Sequence, residues 1–364
     1  MNILLDINHP GHVHLYRNLI FALINRSHKV MITVKNNISS AKELLNIYGL
    51  RYISLSDKSD NLIAKSINQI KYLAAISTII KKENINMGIG TSINLAHASR
   101  ITGMNSIILD DDDDDVEPLF SRFAHPFCDV LLSPDALKNK RKNKRTIYYS
   151  GFHELAYLHP KRFTPDPAVL RYAGLLKDEK YFILRFNSFK AHHDIGNHGL
   201  SLGDKRRLIC KLKEHGKIFI SSENDIEPEF NGYKVSIPPH MIHSFIYFST
   251  LLLGDSQTMS SEAAVLATPS LRANSFVGRI SYLEEEEHKY GLTFGFRPGQ
   301  TEYMFSKIDE LLTTPDLKKV WLERRDKMLN DKIDVTAFLV WFVENFPDSF
   351  KIMRQDPDYQ FNFK

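Results

Sequence analysis

The chain has 364 residues, about the length of two ordinary domains. Its 43% hydrophobic and 25% charged shares are those of a globular protein with material for two cores. The net charge of +4 excludes a dedicated nucleic-acid binder, which carries a strong basic stripe.

Two cysteines, Cys128 and Cys210, lie far apart without metal-ligand spacing, so they are expected to be reduced core residues of a cytoplasmic protein. Met1 to Asp6 has no basic segment before its apolar run and reads as a first strand, not a signal peptide. No apolar stretch approaches the roughly 18 residues that suggest a membrane span.

From the N-terminus, short apolar runs alternate with helical patterns. Strands are expected at Ile3–Ile7, Lys29–Val34, Arg51–Leu55, Met87–Gly90, Ser106–Leu109, Val130–Ser133 and Thr146–Tyr149. Helices are expected at His12–Asn25, Ala41–Tyr48, Asn61–Lys82 and Leu95–Ile101. This alternation means parallel βαβ units in an open, doubly wound sheet.

Gly151 to Asp178 breaks the rhythm with Pro160, Pro165 and Pro167, as an interdomain connection does. The alternation then restarts. Strands are expected at Tyr181–Phe186, Lys217–Ile220, Lys234–Ile237, Leu251–Gly254, Ser270–Ala273 and Leu292–Phe296. Helices are expected at Lys205–Glu214, His240–Ser249, Ser260–Leu266, Glu302–Leu312 and Leu317–Phe346. The reading is two facing Rossmann-like domains, 1–158 and 159–334, with helices of about 335–364 packing back on the first. Ligands would bind in the cleft at the carboxyl ends of both sheets.

Two low-complexity runs stand out. Asp110 to Asp115 is six consecutive aspartates after a strand. Clustered carboxylates can hold a cation or sugar hydroxyls, with Asp110 and Asp111 nearest the strand end; the same run also fits a solvated loop that caps the next helix. Lys138 to Arg145 is a basic run suited to an anionic membrane face or a lipid-linked phosphate, and equally to a solvated loop. Glu284 to Glu287 reads as a solvated helix face.

Three segments at strand ends carry candidate chemistry. Asn8-His9-Pro10-Gly11-His12-Val13-His14 turns from strand to helix, where His12 or His9 can take a proton from an attacking hydroxyl. Gly11 and His14 belong to the same acceptor side. Gly254 to Ala264 feeds a hydroxyl- and amide-rich turn into a helix. Ser256, Gln257 and Thr258 can meet a diphosphate at the helix start, and Glu262 can accept from ribose hydroxyls. A plain helix cap centred on Thr258 is the alternative. Arg185 to Asp194 offers Arg185 and Lys190 to phosphates, with Asn187 and His192 beside them. His192, His193 and Asp194 lack a fourth ligand at diagnostic spacing, so no metal is expected. Ser222, Glu223 and Asn274 follow other strand ends and complete the set, Asn274 bordering the sugar.

With these motifs placed, the chain resembles a GT-B-like bacterial and archaeal family catalogued as domain of unknown function 354. The resemblance is carried by Asp6 to His14, Glu154 to Leu158, Thr258-Met259 with Glu262-Ala263-Ala264, and Lys289 to Leu292. More distantly, Gly11-His12-Val13 is similar to the turn of the lipid-linked peptidoglycan N-acetylglucosaminyltransferase. Gly254 to Ala264 is similar to the donor motif of that enzyme and of the non-hydrolysing UDP-N-acetylglucosamine 2-epimerases. Gln257-Thr258 stands where the epimerases carry a Gly-Gly pair, a departure from epimerase chemistry.

The resemblance implies a GT-B fold and a metal-independent glycosyltransferase. It would move a sugar from a nucleotide diphosphate sugar, UDP-linked, to a surface-glycan or lipid-linked acceptor. His12, His9 and Asp111 would be the catalytic residues. The nucleotide-sugar is a substrate, and no further cofactor is expected. A nucleotide-sugar epimerase and a non-catalytic nucleotide-sugar binder are the alternatives. The expected place is the cytoplasm or the inner face of a membrane, with no nucleic acid and no specific protein partner.

Overall fold

The computed structural model describes residues 1–55, 62–141, 143–186, 199–222 and 226–364. They form two compact units, one of Met1–Tyr157 with Lys332–Lys364 and one of Leu158–Asp331.

The first unit holds seven strands among the described residues: β1 (Asn2–Ile7), β2 (Lys29–Lys35), β3 (Ile53–Leu55), β4 (Met87–Gly90), β5 (Asn105–Leu109), β6 (Val130–Pro134) and β7 (Thr146–Tyr149). They pair in parallel in the order β3-β2-β1-β4-β5-β6-β7. The inner strands read as continuous apolar runs because both faces are covered; Ile3, Leu4, Leu5 and Ile7 of β1 are wholly buried. The order reverses between β1 and β4, the place where open α/β sheets bind ligands. Gly90 closes this reversal. A Cβ there would lie 2.9 Å from the Asp6 carbonyl oxygen, so only glycine allows the approach.

The first helix, Pro10–Asn25, starts on His9, whose ring accepts from the Gly11 N–H at 3.1 Å. Pro10 sits in the first turn, where its missing N–H breaks no helical bond. Val13, Tyr16, Leu19, Ile20 and Leu23 recur at helical spacing and form the buried stripe. The helix Val335–Glu344 packs on it. Asn18 and Thr336 both donate to the Ala156 carbonyl, at 2.9 and 2.6 Å, and Glu344 pairs with Arg26 and His28.

The helical pattern over Leu317–Phe346 forms two helices, Leu317–Asp331 and Val335–Glu344. The break is built by tertiary contacts. The buried Lys332 ammonium lies 2.9 Å from Asp135, and the Ile333 N–H donates to the Ser150 carbonyl. Asp334 then caps the second helix by accepting from the Ala337 N–H, a contact worth about 1 kcal/mol.

The second unit holds five strands among the described residues: β8 (Tyr181–Arg185), β9 (Lys217–Ser221), β10 (Leu251–Gly254), β11 (Ser270–Ala273) and β12 (Thr293–Phe296). Their order is β12-β11-β10-β8-β9, all parallel, with the reversal between β8 and β10. The strand expected at Lys234–Ile237 does not form. Lys234 makes one isolated bridge to Ile220, with the Val235 N–H donating to the Ile220 carbonyl, and the pairing goes no further before Pro238-Pro239. Of the two cysteines expected in the cores, Cys128 is buried and Cys210 is exposed.

Glu284–Glu287, expected as a solvated face, is largely structural. Arg272 on β11 is fully buried and pairs with Glu284 and Glu287 at 2.9 and 3.0 Å, while the buried Glu286 accepts from Ser261 at 2.6 Å. Lys318 donates to the Tyr247, Leu266 and Ala267 carbonyls and so satisfies orphan carbonyls where two helices end.

Candidate functional site

In the first unit the polar groups gather where β1, β4, β5 and β7 end. Asp6, on the buried β1, is the anchor. Its carboxylate accepts from Thr33 at 2.8 Å, Ser92 at 2.5 Å, Asn8 at 3.1 Å and from the Tyr72 hydroxyl. A carboxylate survives in a strand core only with such partners. Through Asn8 the anchor reaches the turn, because the Asn8 backbone N–H donates to His12 Nδ1 at 3.3 Å.

That bond sets the ring's polarity. With Nδ1 accepting, the proton of the uncharged imidazole sits on Nε2, so His12 presents a donor there. Burial, reinforced by His9, His153 and Lys35, pushes the His12 imidazole well below its ordinary 6.5. His9 stands 5.9 Å from His12, ring to ring, and Tyr16 stands 6.1 Å away on the other side, with its hydroxyl 3.3 Å from Thr91. His14, expected on the acceptor side, goes elsewhere. Two residues along a helix turn about 200°, and His14 is buried against Tyr157 and Tyr48. Gly11 contributes its N–H to the His9 ring and little else.

Asp111, from the loop after β5, brings in a residue that sequence reasoning misses. Its Oδ2 lies 3.0 Å from Nδ1 of His153, just beyond β7. In the uncharged ring the Nδ1 facing the carboxylate carries the proton, which leaves the lone pair of His153 on Nε2. That nitrogen is enclosed and has no hydrogen-bond partner among the described residues, and the same holds for the Tyr149 hydroxyl and Asn8 Oδ1. Burial, then Asp111 and Glu154, pushes the Tyr149 phenol well above its ordinary value. His153 escapes notice because Gly151 onward reads as the interdomain connection. The available signal is a histidine four residues after a strand, close behind a strand end as His9 and His12 are.

Asp110, Asp113 and Asp114 are spent internally, largely on the basic run. Arg141 is buried and reaches Asp110 at 2.8 Å and Asp114 at 3.1 Å; Lys140 reaches Asp113 at 2.9 Å. His125 binds Asp110 from the other side at 2.7 Å. Burial alone would raise Asp110, but His125 and Arg141 outweigh it and hold its carboxyl below the ordinary range. Asp112 is pushed well above that range by burial and then by Asp111 and Asp110. Asp110, Asp114 and His125 approach within 4.8 Å of one another, and Arg141 already pairs with both carboxylates. Arg145 donates to the Pro126 and Cys128 carbonyls. Of the run expected to face a membrane, Lys140, Arg141 and Arg145 therefore have internal partners, and Lys142 lies outside the described residues.

In the second unit the corresponding groups flank β8 and β10. Gly254 pairs with Arg185 and has φ +150°; a Cβ there would meet the Arg185 carbonyl oxygen at 1.9 Å. Only glycine lets the chain pass. Arg185 is buried and donates to Ser221 at 3.0 Å. The helix Gln257–Val265 begins on Ser256, whose hydroxyl accepts from the Met259 N–H. The cap is thus Ser256 and not Thr258. Gln257 is half-buried and Thr258 exposed on the first turn, where backbone N–H groups have no intrahelical acceptor.

Glu262 is buried one turn on, with its carboxylate 3.0 Å from His243 Nε2. Asn274, expected beside the sugar on the acceptor side, is buried in the second unit. It donates to the Asp255 carbonyl and accepts from the Phe276 N–H, so it braces the β10 loop. Ser222 donates to the Phe186 carbonyl at 3.2 Å. Asn187, Lys190, His192 and Glu223, with His193 and Asp194, lie outside the described residues.

The model of a family described as protein of unknown function (DUF354) matches residues 1–287. The chain belongs to the DUF354 family. An uncharacterized protein of Methanocaldococcus jannaschii is 21% identical over 306 residues, which are 79% of this chain and 86% of that protein. Among solved structures, a putative UDP-N-acetylglucosamine 2-epimerase from Listeria monocytogenes matches with a TM-score of 0.70 at 11% identity, covering 96% of this chain and 97% of that one. Spinosyn forosaminyltransferase SpnP matches with a TM-score of 0.64 at 13% identity, covering 96% and 99%. At these identities the likeness establishes the fold. This DUF354 chain has the GT-B fold of two Rossmann-like domains. Among the described residues no helix is long and apolar enough to cross a membrane.

Proposed function

We propose that this protein is a glycosyltransferase. It moves a sugar from a nucleotide diphosphate sugar, a UDP-sugar in the first instance, to a hydroxyl of a surface-glycan or lipid-linked acceptor. The observation that carries the reading is the pairing of Gly254 with Arg185 at the strand reversal of the second unit. There a side-chain-free backbone, a buried guanidinium and the start of the Gln257–Val265 helix come together. A diphosphate needs those three things: close approach, positive charge and N–H donors.

Ser256, Gln257 and Thr258 hold the phosphates, and Arg185 stabilises the charge that builds on the departing diphosphate, so no metal is needed for that task. Glu262 binds the ribose hydroxyls, with His243 setting its carboxylate. The imidazole cluster of the first unit handles the acceptor proton. Lys138 and Lys144, both exposed, remain for attraction to a lipid-linked acceptor or an anionic membrane face.

One assay tests the reading. The protein is incubated with a panel of nucleotide-sugars, with and without lipid extract. Release of nucleoside diphosphate only when acceptor is present supports transfer. A changed sugar without acceptor supports an epimerase instead, and binding without turnover supports a non-catalytic binder. Arg185→Ala should weaken UDP binding by about tenfold or more, the value of one charge-assisted contact.

A further inference from the structure

We propose that His153, oriented by Asp111, is the proton acceptor of this site, and that His12 acts beside it as a hydrogen-bond donor through Nε2. The inference deepens the transferase reading and rests on it for the identity of the proton's source.

The two imidazoles are held in opposite polarities by their own partners. His12 Nδ1 faces a backbone N–H, which can only donate, so Nε2–H points onward. His153 Nδ1 faces the Asp111 carboxylate at 3.0 Å, so its Nε2 carries the lone pair. A ring that already bears its proton on the presented nitrogen has no basic lone pair there, and its one basic nitrogen, Nδ1, already accepts from the Asn8 N–H. A ring backed by a carboxylate can accept a proton, because the carboxylate stabilises the imidazolium that forms.

A second observation points to a ligand. His153 is only 9% exposed and its Nε2, the acceptor of the uncharged ring, has no partner among the described residues. The Tyr149 hydroxyl and Asn8 Oδ1 are likewise enclosed without partners. Buried polar atoms in folded proteins are nearly all satisfied, so a group of such exceptions marks a place where a bound molecule supplies the bonds. The ligand chemistry is that of a hydroxyl-bearing acceptor, which offers one O–H to His153 and oxygen lone pairs to His12 and Tyr149.

The step balances. The acceptor oxygen forms a bond to the anomeric carbon as the bond from that carbon to the diphosphate oxygen breaks. The diphosphate leaves with the electron pair. The hydroxyl proton passes to His153 Nε2, and the imidazolium remains paired with Asp111 until water removes the proton. The ionisable groups around the ring are Asp111 from the β5 loop, Glu154 next in the chain, Tyr149 from β7, and His12, His9 and Tyr16 from the first helix and its turn. Lys35 from β2 acts on His12 as well.

Two measurements on the full-length protein test this. Long-range proton–nitrogen spectra of histidine-labelled protein report the tautomers. His153 should show Nδ1–H and His12 Nε2–H, and Asp111→Ala should release His153 toward the Nε2–H form favoured by free imidazole. Finding His153 as Nε2–H in the native protein would overturn the proposal whatever reaction the protein performs. In the transfer assay, His153→Gln should lower kcat by about 100-fold or more and remove the acidic limb of its pH profile. Asp111→Asn should lower kcat and shift that limb with little change in donor KM. His12→Gln should slow turnover but leave the limb in place. A limb that follows His12 and not His153 overturns the assignment. Failure to transfer from any nucleotide-sugar would sink the transferase reading, while the tautomer spectra still judge the pair.

Discussion

The substitution Asp6→Asn tests whether one buried carboxylate ties the strand reversal to the site. The change is nearly isosteric, so no cavity confuses it. In the native chain Thr33 and Tyr72 donate to Oδ1 while Asn8 and Ser92 donate to Oδ2. An amide replaces one of those oxygens by an NH2, which then faces two donors. Two hydrogen bonds are lost and two buried donors are stranded, at about 1–3 kcal/mol each. The hydroxyls can turn to other acceptors, which places the expected loss near the lower half of that sum, about 3 kcal/mol. A chain of two units need not unfold in one step. Hydrogen exchange read on peptides covering β1 and β4 is therefore the suitable assay, with the strands of the second unit as an internal control. Where the NH2 takes the place of Oδ1, Thr33→Val should cost less in the Asp6→Asn background than alone, since its partner is then already lost; where it takes the place of Oδ2, Ser92→Ala should show that coupling instead. Opening free energies of β1 and β4 within about 0.5 kcal/mol of the native protein would refute the reasoning, because surface-like changes fall in that range.

Gly254→Ala should cost about 3 kcal/mol or more and abolish UDP binding, since the added carbon meets the Arg185 carbonyl and the backbone cannot yield; a normal melting temperature would refute this. Arg141→Met should destabilise the first unit by about 3–5 kcal/mol, because it leaves Asp110 buried without its guanidinium, and chemical denaturation reads the loss. Ser27, exposed with φ +62° just past the first helix, should gain about 1 kcal/mol on change to glycine, seen as a higher melting temperature. His12 gives a pH prediction with a definite sign. Its folded value is depressed below the ordinary 6.5, so between those two values the unfolded chain binds the extra proton. The stability it contributes is present above 6.5 and is lost as the pH falls below it. His12→Gln should therefore flatten the acid loss of stability below pH 6.5, and the native His12 ring signals should not titrate around that pH.

The fold was legible because parallel sheets write themselves plainly. A strand covered on both faces must be apolar throughout, as Ile3 to Leu5 and Leu251 to Leu253 are, and each must be separated by a helix-length crossover. At Lys234–Ile237 and across Lys332 local pattern is the wrong guide. In the first case the pairing stops after one bridge to Ile220, just ahead of Pro238-Pro239. In the second the apolar period runs on, but Asp135, Ser150 and the Asp334 cap hold the chain out of the helix.

The sequence by itself determined where polar residues would collect, since strand ends and helix starts follow from pattern: His9, His12, Asp111, Arg185 and Ser256 all stand at such ends, and Glu262 one turn further on. Only the tertiary structure decided what each could do there. Which carboxylate meets which cation depends on contacts between segments far apart in the chain. Arg141 silences Asp110, 31 residues away, while Asp111, its neighbour, turns to His153. A tautomer depends on a single hydrogen bond, and no spacing in a sequence reveals whether an imidazole faces an N–H, as His12 does, or a carboxylate, as His153 does.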